Sequence, residues 1–133
     1  MKKYLIILFF LFAATACRKT EFEPEGPTDV RVNNISDQNF TEVVVKIKEE
    51  SFTMGDIAKG AFSEYFRFQT AFPKAEISAK VNGVTISTGT VDFTYLTYVG
   101  QVRITYEVWI VDQASGKKLE IHDVIYEEPL VLK

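Results

Sequence analysis

Val102-Arg103-Ile104-Thr105-Tyr106-Glu107-Val108-Trp109-Ile110-Val111 is the stretch that decides the fold. Val102, Ile104, Tyr106, Val108 and Ile110 alternate with Arg103, Thr105, Glu107, Trp109 and Val111. A period of two puts the first set on one face of an extended chain, whereas a helix of period 3.6 would mix the two sets on every side. The polar and glycine-containing segment Asp112 to Lys118 (DQASGKK) follows, and Leu119–Tyr126 returns with a second apolar pattern. The three segments read as a long hairpin with one face buried and one open to solvent, the pattern of an antiparallel sheet.

The same period recurs upstream. Val43, Val45 and Ile47 alternate with Glu42, Val44, Lys46 and Lys48, and Ala75, Ile77, Ala79 and Val81 alternate with Glu76, Ser78 and Lys80. Asn82-Gly83 between Val81 and Val84 is a hairpin signal, because a type I′ turn requires positive φ at both central residues. Further strands are expected at Asp29–Val32, Ser51–Met54, Ala61–Gln69, Val84–Thr88 and Val91–Tyr98. Polar loops are expected at Asn33-Asn34 with Ser36–Asn39, and at Asp56–Gly60. About seven to eight short strands at this spacing, with no capped helical segment, predict an all-β antiparallel sandwich in preference to a barrel. Phe66, Phe68, Phe93, Tyr95 and Tyr106 are the expected bulk of its core, between inner faces ~10 Å apart.

At the other end of the chain, Lys2 and Lys3 precede an apolar run from Tyr4 to Ala14, and Ala14-Thr15-Ala16 leads into Cys17, the only cysteine. A transmembrane helix needs roughly 20 residues to cross a ~30 Å hydrocarbon core, so the run is the length of a signal-peptide core. A plain cleaved signal and an uncleaved anchor are the other readings. Ala14-Thr15-Ala16-Cys17 resembles the lipobox of bacterial lipoproteins, with alanine at Ala14 where that family prefers leucine. The resemblance implies cleavage between Ala16 and Cys17 and acylation of Cys17, which becomes the lipid-bearing N-terminus. It also implies a cell-envelope location. By the same resemblance, Arg18 in place of an aspartate after Cys17 implies the outer membrane over the inner one. Gly55–Tyr65 resembles a turn-and-strand pattern of small Bacteroidota lipoproteins with an immunoglobulin-like shape. That resemblance implies an immunoglobulin-like form for the sandwich.

These readings divide the chain into a leader (1–16), a lipidated N-terminus with a tether (17–28) and a β domain (29–133). Arg18 to Thr28 (RKTEFEPEGPT) has too little apolar surface to bury and reads as an extended tether. Without Lys2 and Lys3 the chain from Cys17 on keeps 13 basic against 18 acidic residues, a net charge of −5. An acidic chain of this size is a poor partner for nucleic acid, which attracts basic stripes. No cysteine is left for a disulfide, so packing alone must hold the domain together.

No catalytic constellation emerges. His122 is the sole histidine, expected on a strand face with Glu120 and Val124, and it reads as a solvent-facing or edge residue. With no second histidine, a zinc site has too few ligands. Glu49-Glu50 and Glu127-Glu128 read as solvated strand ends, since neighbours on an extended chain point to opposite sides. Ser36–Asn39 is too sparse in oxygen ligands for calcium. No metal and no cofactor are expected. Trp109 is the leading binding candidate, on the polar face with Arg103, Thr105 and Glu107; Tyr65 is a second. Exposed aromatics among polar groups often mark contact surfaces.

The leading expectation is a non-enzymatic, lipid-anchored envelope lipoprotein that binds an envelope protein or glycan or serves structurally. A lipocalin-like barrel carrying a small apolar ligand is the alternative, distinguished by a closed sheet. A hydrolase with converging carboxylates is a third, requiring two acids in one cleft.

Overall fold

The computed structural model describes residues 25–129. The leader, Cys17 and the tether up to residue 24 lie outside these residues. Eight strands form two four-stranded sheets: β1 (Thr28–Asn34), β2 (Phe40–Ile47), β3 (Glu50–Ile57), β4 (Phe66–Phe68), β5 (Glu76–Val81), β6 (Val84–Ser87), β7 (Val102–Gln113) and β8 (Gly116–Pro129). One sheet has the order β4-β1-β7-β8 and the other β3-β2-β5-β6. Every ladder stays within its own sheet, so the architecture is the sandwich expected from the sequence and not a closed barrel. The pairings are antiparallel except between β1 and β7, which run parallel. The sequence reading did not anticipate that parallel pair, because it joins strands separated by most of the domain.

Alternation places the core as read. Val43, Val45 and Ile47 of β2, Ala75 beside β5 and Ile77, Ala79 and Val81 within it, and Ile104, Tyr106 and Val108 of β7 are all buried. Phe40 and Val43 both point inward because a bulge intervenes, with Glu42 at φ 51°. Asn82 at φ 52° and Gly83 at φ 81° have the positive-φ pair that a type I′ turn needs. Phe52 of β3 packs edge-on against Phe68 (centroids 4.8 Å apart) and tilted against Phe66 (5.5 Å), joining the two sheets at their β3 and β4 edges.

Two expected strands differ. Val91–Tyr98 forms no strand: Asp92 Oδ1 accepts bonds from Thr94 N–H (3.0 Å) and Thr94 Oγ1 (2.6 Å), and Leu96 N–H donates to the Phe93 carbonyl. This local turn competes with extension. Phe93, Leu96 and Val99 then meet the core at a spacing of three. Tyr95 falls out of that set and is 92% exposed, contrary to its expected core position. Ala61–Gln69 is a strand only at Phe66–Phe68. Ser63 explains the interruption, since its hydroxyl accepts the Val32 N–H (2.9 Å) in place of a ladder carbonyl.

Packing also includes residues before Asp29. Thr28 is fully buried and its hydroxyl donates to the Gly100 carbonyl at 2.5 Å. Gly26 is buried, and any Cβ there would overlap the Gln69 carbonyl oxygen. At the far end of β1, Asn33 and Asn34 belong to the strand and not to the loop. Buried Asn34 donates through Nδ2 to the carbonyls of Gln38 (2.7 Å) and Ile57 (3.0 Å), and its Oδ1 accepts from Ser36. One side chain thus ties β1, the 35–39 loop and the end of β3.

Candidate functional site

The outward face of the β4-β1-β7-β8 sheet has the densest set of chemically capable side chains among the described residues. Register puts Asp29 beside Arg103, Arg31 beside Thr105 and Asn33 beside Glu107, all on this face. Thr105 is only 2% exposed there, although it alternates with core residues. Arg31 covers it, donating from Nε to Thr105 Oγ1 at 2.9 Å.

Arg31 is the centre of the cluster. Its guanidinium lies 4.1 Å from the Phe62 ring centroid and 4.8 Å from that of Tyr65, and its Nη2 pairs with Glu127 at 3.0 Å. Tyr65 donates its hydroxyl to the other Glu127 oxygen at 2.5 Å, and Arg103 lies over the same Tyr65 ring at 5.5 Å. Two guanidinium groups, two aromatic rings and a carboxylate therefore interlock across β1, β7, β8 and the segment before β4. Burial, with the Glu127 hydrogen bond second, raises the Tyr65 pKa above the ordinary phenol value, so its hydroxyl is a donor at neutral pH. Phe62 remains 52% exposed. At the sheet margin, Arg67 and Asp29 form a two-pronged pair at 2.8 and 3.2 Å, and the Asp29 carboxylate raises the Arg67 pKa.

Tyr65 and Arg103, both singled out from the sequence, are thus brought together. Trp109 is not. It lies six residues along β7 from Arg103, about 20 Å away at ~3.3 Å per residue. Its ring is 37% exposed and packs 4.2 Å from the His122 ring, so it is neither free in solvent nor part of the core. His122 owes its position to a bulge: Glu107 pairs with Asp123 and Val108 with Ile121, leaving His122 as the extra residue on β8. The bulge reverses the alternation beyond it, so Val124 pairs with buried Tyr106 and is not on the face of Glu120, as expected from simple alternation.

In the sequence Glu127 reads as a solvated strand end, whereas the structure makes it the acidic hub of the cluster. Its partners Arg31 and Tyr65 lie 96 and 62 positions away, so no local sequence signal could identify them. Glu50 likewise is occupied, accepting the Gln69 N–H at 2.7 Å. Phe62 and Arg31 are site residues that the sequence reading missed for the same reason as Glu127.

Elsewhere, a cleft of about 390 Å³ runs between the first half of β8 and the segment after β6, lined by Lys74, Thr88, Val91, Lys118 and Glu120 among others. Among the described residues, no group of three or more His, Cys, Asp or Glu side chains is placed to hold a metal ion. Also among these residues, no helix is long and apolar enough to cross a membrane.

No protein-family model matches this chain, and no curated protein matches it. A solved structure, the NMR structure of a protein from Eubacterium rectale, is similar in fold, with a TM-score of 0.53 and 12% identity over 78% of this chain and 96% of that one.

Proposed function

We propose that this protein is a lipid-anchored lipoprotein of the bacterial cell envelope, attached through Cys17 to the outer membrane, and that it works as a non-enzymatic binding module. The contact surface is the outward face of the β4-β1-β7-β8 sheet, and its partner is an envelope protein or glycan. The observation that carries this reading is the interlocked set Arg31, Phe62, Tyr65, Arg103 and Glu127.

Arginine and tyrosine dominate contact energetics because each combines large area with directional donors. Fixing them beforehand lowers the rotamer entropy lost on binding. Half-exposed Phe62 offers an apolar face beside the guanidinium edges, a combination suited to sugar rings and to protein anchors alike. The raised Tyr65 pKa makes the hydroxyl a donor and a poor base, which fits recognition better than proton abstraction.

Cross-linking in intact cells, followed by mass spectrometry, tests the reading with three chains. The unaltered chain should capture a reproducible partner. Tyr65→Ala combined with Arg103→Ala should lose that partner while remaining membrane-bound and folded. Cys17→Ala should lose acyl labelling and membrane retention. Undiminished capture by the double variant refutes the surface, and unchanged membrane fractionation of Cys17→Ala refutes the anchor.

A further inference from the structure

The free edge of β8 is long, and we propose that it pairs with β8 of a second copy to join two sandwiches through one continuous sheet. Strand β8 has 14 residues, lies at the end of its sheet and, among the described residues, is hydrogen-bonded to β7 alone. A cleft of about 390 Å³ lies beside Lys118–Ile121, between this strand and the segment that includes Thr88 and Val91. His122, Asp123, Ile125 and Tyr126 continue the edge as exposed residues. An unpaired edge of this length is a template for strand addition.

The sequence of the strand selects both the partner and the register. Pairing two β8 strands antiparallel over their whole length sets each residue opposite the one whose number brings the sum to 245. Lys118 of one copy then faces Glu127 of the other, His122 faces Asp123, Leu119 faces Tyr126, and Ile121 faces Val124.

Directly opposed residues of an antiparallel pair share a face. In a regular strand this register would set outward residues against inward ones. The bulge at His122 removes the conflict, because it reverses alternation halfway along. Lys118, opposite Val111 on β7, and Glu127 both belong to the outward face, while Leu119, Ile121, Val124 and Tyr126 belong to the inward one. Shifting the sum to 243 would oppose Glu120 to Asp123, and shifting it to 247 would oppose Glu120 to Glu127. Like charges directly opposite are unfavourable, so 245 is the register that the charges select. Its two-fold axis passes between His122 and Asp123, and each favourable pair occurs twice, as a closed dimer requires.

Carbodiimide cross-linking of the purified full chain, with sedimentation analysis, tests this directly. Lys118 and Glu127 of one chain are nine residues apart on an extended strand, about 30 Å, so a zero-length bond between them can form only between copies. We expect a dimeric mass and a Lys118–Glu127 cross-linked peptide, which mixing ¹⁴N- and ¹⁵N-labelled chains marks as intermolecular. Lys118→Glu converts both symmetry-related pairs to repulsion and should weaken dimerisation about tenfold or more, with the monomer still folded by circular dichroism. Lys59→Glu, on an exposed turn away from this edge, should leave the dimer intact. A monomer at every concentration, or a dimer lacking the Lys118–Glu127 cross-link, overturns the proposal. The same holds if Lys118→Glu and the unaltered chain dimerise equally.

Discussion

Replacing Tyr106 with phenylalanine removes one oxygen atom from the middle of the core, and its destabilising effect should be smaller at alkaline pH than at neutral pH. Tyr106 is fully buried, and its hydroxyl donates to the Phe72 carbonyl at 2.5 Å, fastening β7 to the segment between β4 and β5. Phenylalanine keeps the ring and leaves that carbonyl without its donor. The cost of such an unsatisfied buried group is about 1–3 kcal/mol. For a domain of this size each kcal/mol lowers Tm by about 4–8 °C.

The alkaline limb carries the more specific prediction. Burial holds the Tyr106 phenol protonated far above its ordinary value of 10.0, whereas the unfolded chain releases that proton near pH 10. Above pH 10 the native state therefore binds more protons than the unfolded one, and native stability falls as pH rises. The contribution is complete below pH 10 and has diminished by about 1.4 kcal/mol at pH 11. Tyr106→Phe lacks this dependence.

Urea unfolding at pH 7 and at pH 11, followed by circular dichroism, should show the unaltered protein ahead by about 1–3 kcal/mol at pH 7 and by about 1.4 kcal/mol less at pH 11. A gap that is the same at both pH values, or a loss below about 0.5 kcal/mol at pH 7, would refute the reasoning.

Two further substitutions probe the ends of the same sheet. Gly26→Ala drives a methyl group into the Gln69 carbonyl and should cost about 1–3 kcal/mol by denaturant unfolding, so a neutral result would detach the residues before Asp29 from the packed domain. Trp109→Ala loses the His122 ring contact and should cost only about 1 kcal/mol, because the indole is 37% exposed. A loss above about 3 kcal/mol, the range of core aromatic truncations, would place Trp109 in the interior instead.

The all-β class, the two hairpins and most of the core were legible because a period of two is a local property of the chain. Val43, Val45, Ile47, Ile77, Ala79, Ile104 and Val108 occupy the interior that alternation assigned to them. Local reading failed where a side chain rewired the backbone. Asp92 and Thr94 turned an apparent strand into a loop and left Tyr95 in solvent, and Ser63 shortened β4 by taking over the Val32 N–H. At the bulge, one additional residue moved Val124 inward and brought His122 beside Trp109.

By itself the sequence determined that alternating apolar residues build a β-sandwich, because the hydrophobic face of each strand is written in its own residues. Which outward residues meet was decided by tertiary structure. Arg31 reaches Glu127 only after the parallel β1–β7 pair and the antiparallel β7–β8 pair have aligned three strands side by side. A salt bridge between positions 96 apart has no periodicity to reveal it. Strand pairing creates that proximity, and with it the candidate surface.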